Sequence, residues 1–153
     1  MRRAFILSLL LSGLTLAGSA FAGSGKVIKV LPHFLDANGK HTISPSLYDR
    51  DAYQAMLRKN PEKRSGIRYD VNWRARGTAG EVKLRVELRG IAQGNIPRTK
   101  TIEAVVKPSN GTSRWDGVAL TGGEFKNFGE VTAWRVTLWD GDTQLAEQKS
   151  FLW

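Results

Sequence analysis

No cysteine occurs in the 153 residues. That excludes any disulfide, thiolate ligand or cysteine nucleophile, and with them the lipidated cysteine of a bacterial lipoprotein. Histidine is nearly as scarce, with His33 and His41 alone. If Asn38-Gly39 closes a hairpin, the register sets Asp36, not His33, opposite His41. Without a third strong ligand the two imidazoles read as surface residues and not as a zinc site. No G-x-S-x-G elbow is present, and a Cys–His pair has no cysteine. Gly23-Ser24-Gly25-Lys26 is too short for a phosphate loop and has no strand before it. "DANGKH", Asp36 to His41, lacks the dense carboxylates of a calcium loop. Acidic residues are outnumbered, 14 Asp and Glu against 23 Lys and Arg. Most alternate with basic residues along extended segments, which suits cross-strand ion pairs better than a glycosidase carboxylate pair. The expectation is a protein without enzymatic activity, metal or cofactor.

Long apolar runs are also lacking, with one exception at the start. Arg2 and Arg3 precede an uncharged apolar stretch that ends at Ala20-Phe21-Ala22, an A-x-A cleavage pattern. Residues 1–22 are therefore expected to be a cleaved signal peptide. The alternative is an uncleaved anchor, which the glycines and small residues disfavour. Residues 23–153 would then form one domain in the periplasm or outside the cell, with no transmembrane segment. The formal charge of +9 falls to +7 without Arg2 and Arg3. A basic exported protein is drawn to anionic envelope surfaces. Its basic residues are scattered among acids, however, so a solvated basic surface is the first reading and a dedicated polyanion site the second. Specific nucleic-acid binding is not expected: in "RYDVNWRAR" the aromatic residues and the arginines take opposite faces.

What the sequence has in quantity is period-2 alternation. "GIRYDVNWRAR" places Ile67, Tyr69, Val71, Trp73 and Ala75 on one face, and "EVKLRVELRG" does the same with Val82, Leu84, Val86 and Leu88. Each segment has a dry and a wet face, and the pair reads as an antiparallel hairpin. "GKVIKVLPHFLD" reads as an edge strand, where Pro32 is tolerated. Asn38-Gly39 reads as a type I′ turn into a short return through His41 to Ile43. "RTKTIEAVVKP" turns Ile102, Ala104 and Val106 inward. "RWDGVALTGG" is a short strand broken by glycine, with Trp115 in a loop-like stretch. One segment departs from this pattern. Ser46 followed by Asp49 resembles a capping box, Ala52, Tyr53, Met56 and Leu57 recur at helical spacing, and Pro61 stops the run. A helix over residues 47–59, covering one open end of the molecule, is predicted.

The fold expected is therefore mainly β: an antiparallel sandwich of about seven strands, with one short α-helix inserted between the first strand region and residue 66. Within "FGEVTAWRVTLWDGDTQLAEQKSFLW", Gly129, the run Trp134, Val136 and Leu138, the turn Asp140-Gly141 and the end Phe151 to Trp153 carry a resemblance. The segment resembles the last two strands of a bacterial immunoglobulin-like or fibronectin-III-like domain. The helix and the missing cysteine pair depart from antibody-type domains, and the resemblance implies an architecture but no particular activity.

Aromatic side chains are the best functional lead, because exposed Trp and Tyr stack on sugars or anchor protein partners. Trp73 and Trp134 fall on apolar faces and read as core. Trp139 shares the opposite face with Arg135, which a three-residue loop at Asp140 to Asp142 would set against Glu147. Trp115 beside Arg114, and Tyr48 at the helix, complete the candidate set. The function expected is a non-enzymatic protein-binding or structural module. The alternative is a carbohydrate or envelope-polyanion binder using Trp139, Arg135, Trp115, Arg114 and Tyr48.

Overall fold

A computed structural model describes residues 23–153; the signal-peptide expectation, on residues 1–22, lies outside the described residues. The elements, in chain order, are β1 (Ser24–Leu35), α1 (Leu47–Lys59), β2 (Gly66–Arg76), β3 (Val82–Ala92), β4 (Ile96–Val105), β5 (Arg114–Thr121), α2 (Gly122–Phe128), β6 (Glu130–Asp140) and β7 (Thr143–Lys149), with a 3-10 turn at Pro61–Lys63. Two antiparallel sheets form, ordered β1-β2-β5 and β4-β3-β6-β7. They stack as a sandwich-like pair. No helix among the described residues is long and apolar enough to cross a membrane.

The alternating segments supply the core. Tyr69, Val71 and Trp73 of β2 meet Leu84, Val86 and Leu88 of β3, Val136 and Leu138 of β6, and Val118 and Leu120 of β5. β2 and β3 are not the hairpin that their sequence suggested. β2 pairs with β1 and β5, and β3 pairs with β4 and β6. Two strands with one dry face each can lie side by side or face one another, and alternation is the same in both cases. Here the chain crosses between the sheets at residues 77–81. The Asp140 carboxylate fastens this crossing by accepting the amides of Ala79 at 3.0 Å and Gly80 at 2.6 Å.

β1 is the edge strand expected from Pro32, but no strand returns from it. Gly39 takes φ 73° while Asn38 keeps a negative φ, so the turn is not type I′. The Asp36 carboxylate accepts the Asn38 and Lys40 amides, both at 2.8 Å, and that local bonding replaces the hairpin ladder. α1 spans the predicted residues and is capped by Ser46, whose Oγ accepts the Asp49 amide at 3.4 Å. Its buried residues are Gln54 and Leu57, whereas Ala52 is exposed. Gln54 decides where the helix lies. Its Oε1 accepts the Phe34 amide at 2.8 Å, and its Nε2 donates to Phe34 O at 2.9 Å and His41 O at 2.8 Å. The helix is thereby pinned along the edge of β1, and not across an open end. At its C-terminus Arg64 donates to Leu57 O at 2.6 Å and to Arg58 O. A guanidinium so placed satisfies carbonyls that the helix leaves free.

The short strand expected in "RWDGVALTGG" forms as β5, and a second helix, α2, that the sequence did not suggest follows directly. Two glycines open it and its seven residues are too few to display a period, yet it buries Phe125 and Phe128. The closing hairpin β6–β7 forms with a two-residue loop, since Asp140 pairs with Thr143. A bulge between Leu138 and Trp139 then shifts the register, so that Arg135 faces Lys149 and Glu147 faces Thr137. Arg135 instead holds Glu87 of β3 through two bonds, of 2.7 and 2.9 Å.

Candidate functional site

The residues proposed from sequence do not converge. Trp139 and Arg135 lie on the outer face of the four-stranded sheet. Both are engaged there: the Arg85 guanidinium sits 4.5 Å from the Trp139 ring centre, and Trp139 Nε1 donates to Thr137 Oγ1 at 2.8 Å. Arg135 and Arg89 both lie over the Trp153 ring, at 5.0 and 4.1 Å. The Glu87 carboxylate, outweighing some burial, holds the Arg135 guanidinium even more firmly charged than usual. Arg114 is half-buried, donating to Asp116 Oδ2 at 2.9 Å. Asp116 in turn accepts Trp73 Nε1 at 2.8 Å. Tyr48, in the first turn of α1, is 82% exposed.

Trp115 belongs to the opposite side of the molecule. It lies on β5, facing Asn72 of β2, and is 50% exposed. The register places the outward side chains of this sheet. β1 contributes Lys26, Lys29, Leu31 and His33, and β2 contributes Arg76, Arg74, Asn72, Asp70 and Arg68. Five lysines and arginines therefore share the face with one carboxylate, Asp70. Arg68 alone of the five is paired, its Nε donating to Asp70 Oδ1 at 2.7 Å. Among the described residues Lys26, Lys29, Arg74 and Arg76 have no ion-pair partner. The outer face of the other sheet is more balanced, with Arg85 bound to Glu103 and Arg135 to Glu87.

At one end of this basic face is a hollow of about 360 Å³, lined by Trp115, His33, His41, Asp70, Arg68, Arg50 and Leu31. His33 is 8% exposed although it points outward from its sheet, because the segment between β1 and α1 folds His41 over it. The two imidazoles stack with centres 5.0 Å apart and planes 21° from parallel. His33 Nδ1 lies 3.1 Å from Asp70 Oδ2. Burial pushes the Asp70 carboxyl up, but the His33 and Arg68 hydrogen bonds and the Arg68 charge more than reverse this and leave it below the usual carboxylate range. Burial, with the nearby His33, Arg68 and Arg50, holds the His41 imidazole below its ordinary value, against a smaller opposing pull from Asp70. Sequence reasoning missed Asp70 as a partner of the histidines. It had assigned the nearby carboxylate to Asp36, which instead accepts the Tyr53 hydroxyl at 2.6 Å. The alternation of β2 did put Asp70 on the wet face, and only the pairing of His33 with Arg68 brings it beside the imidazoles.

No model of a known protein family matches the chain, and no curated protein matches it.

Proposed function

We propose that the chain is an exported, non-catalytic binding module of immunoglobulin-like architecture that holds an acidic glycan of the cell envelope. The strand order supports the architectural part: the chain changes sheet after β2, β4 and β5, as Greek-key sandwiches do. The observation that carries the functional part is the outer face of β1-β2-β5. There an exposed tryptophan shares the face with four unpaired cations and a single carboxylate. An indole face packs against the apolar face of a sugar ring, while flexible lysines and planar arginines meet carboxylate, sulfate or phosphate groups. Such a surface draws anions over a distance set by ionic strength.

The test is affinity electrophoresis in gels containing an acidic polysaccharide or a neutral one. Retardation is expected in the acidic gel only, fading as salt rises. Trp115→Ala and the double variant Lys26→Ala, Arg74→Ala should each weaken it about tenfold. Equal retardation by the neutral polymer, or full retention in Trp115→Ala, overturns the reading. One observation favours a protein partner instead. β4 leaves its outer edge unpaired, with Ile96 and Val105 exposed, and an extended peptide can add to such an edge. That alternative predicts binding that is insensitive to salt and to Trp115.

A further inference from the structure

We propose that His33, His41 and Asp70 form a binding site for a divalent first-row transition ion of the zinc type. Each residue offers one ligand atom, and the three atoms lie within 4.8 Å of one another. Two imidazole nitrogens and a carboxylate oxygen form a donor set that suits zinc, copper or nickel and does not suit calcium or magnesium, which take oxygen shells.

The distances accommodate an ion. His33 Nδ1 and Asp70 Oδ2 are 3.1 Å apart. Metal–ligand bonds of about 2.0–2.1 Å in a tetrahedron set the ligand atoms about 3.3 Å apart. One edge of the polyhedron is therefore already present. Ligation through Nδ1 requires the tautomer of His33 that carries its proton on Nε2. The second oxygen, Asp70 Oδ1, stays bonded to Arg68 Nε at 2.7 Å. That is the outer hydrogen bond a ligating carboxylate ordinarily has, and it fixes which oxygen faces the ion.

Apart from its stack on His33, the His41 ring is uncommitted. Among the described residues neither of its ring nitrogens has a hydrogen-bond partner; only its backbone carbonyl is bonded, to Gln54. It lies in the irregular segment between β1 and α1. Its ligand atom lies within 4.8 Å of the other two, at most about 1.5 Å beyond the separation in a tetrahedral site. Arg50 and Trp115 line the same hollow as the three ligands. Arg68 and Arg50 lower the affinity by their charge, so binding of moderate strength is expected.

The proposal does not depend on glycan binding, and its test uses no glycan. Zinc chloride is titrated calorimetrically into the protein free of any histidine tag, with magnesium chloride as control. One zinc per chain and no heat of binding from magnesium are expected. His41→Ala loses the stack on His33 but no hydrogen bond, so it should keep the circular dichroism of the parent and melt within a few degrees of it, and should bind zinc at least about tenfold more weakly. Unchanged zinc affinity in His41→Ala, or no saturable zinc binding by the parent, overturns the proposal. Nitrogen-15 spectra of the parent add a readout independent of variants. The chain has only two histidines, and both imidazoles should shift together with zinc. A shift in one alone, or in neither, also overturns it.

Discussion

Replacing Gln54 with leucine removes three hydrogen bonds at once while leaving a side chain of similar volume. The bonds join Gln54 to Phe34 N, Phe34 O and His41 O, and Gln54 is 3% exposed. On the open edge of β1 the Phe34 amide and carbonyl have no neighbouring strand, so this carboxamide occupies the place of one. A hydrogen bond of this kind contributes about 0.5–1.5 kcal/mol net, and a buried backbone group stripped of its partner costs about 1–3 kcal/mol. Phe34 is half-buried, so water can recover part of the loss, and a destabilisation of about 3 kcal/mol is expected. Urea unfolding followed by circular dichroism should show it as a midpoint lower by about 1.5–3 M at an unchanged slope. Gln54→Glu separates the accepting role of this side chain from its donating one. The carboxylate still accepts the Phe34 amide but faces two carbonyls that it cannot donate to. Its folded pKa must rise above the unfolded one, so this variant regains stability as pH falls through the raised value. A Gln54→Leu variant within about 0.5 kcal/mol of the parent would refute the claim that this side chain completes the sheet edge.

The hydroxyl of Tyr69 is buried without a partner, and burial drives its pKa far above the ordinary 10.0. Tyr69→Phe should therefore stabilise the fold, by about 1 kcal/mol in the same unfolding assay; a loss of stability would mean that the hydroxyl is satisfied. Trp139→Ala removes the ring under Arg85 and the partner of the buried Thr137 hydroxyl. It should cost about 1.5 kcal/mol of stability and leave retardation by acidic polysaccharide intact. The Asp36 carboxyl is held below its ordinary 3.8 chiefly by the Tyr53 hydroxyl, with burial opposing and the Lys40 and Asn38 amides assisting. A depressed folded pKa gives stability that is present above the unfolded pKa and is lost as pH falls through the folded one. The stability advantage of the parent over Tyr53→Phe should hold down to about pH 5 and narrow below about pH 4, as read by thermal melts across that range.

Several elements were legible because their signals are local. The alternation in β2 and β3, Pro32 at an edge, Ser46 as a cap and Pro61 as a stop each act within a few residues. The non-local features were not legible. Whether β2 and β3 lie side by side or face to face depends on the turn between them, and both arrangements bury the same alternating residues. The two-residue loop and the bulge between Leu138 and Trp139 each shift the register by one, together moving Arg135 from Glu147 to Lys149, and one-residue slips leave no trace in composition. α2 is too short for periodicity, and its two phenylalanines gain meaning only once Gly90 and Gly129 allow close approach. At Gly129, φ is 85° and a Cβ would strike the backbone of Ile91 and Ala92. The site suffered most, because Asp70 comes beside His33 only through strand pairing between residues 37 positions apart.

Trp115 and Trp139 show why residue type alone could not separate a binding surface from a structural one. Both lie on strands, both point outward, and both have arginine close by in the sequence. What differs is the charge across the strands. Around Trp139, Arg85 faces Glu103 and Arg135 holds Glu87, so each guanidinium already has a carboxylate and the indole completes a closed set. On the face that carries Trp115, Arg68 has Asp70 but Lys26, Lys29, Arg74 and Arg76 have no carboxylate among the described residues. A cation satisfied by its own protein would have to give up that partner to bind an outside anion, and this cancels much of the gain. An unpaired cation at the surface gives up only water and counterions. The net affinity for an external anion therefore belongs to the face that leaves its cations unpaired, and Trp115 is the aromatic residue that this face presents.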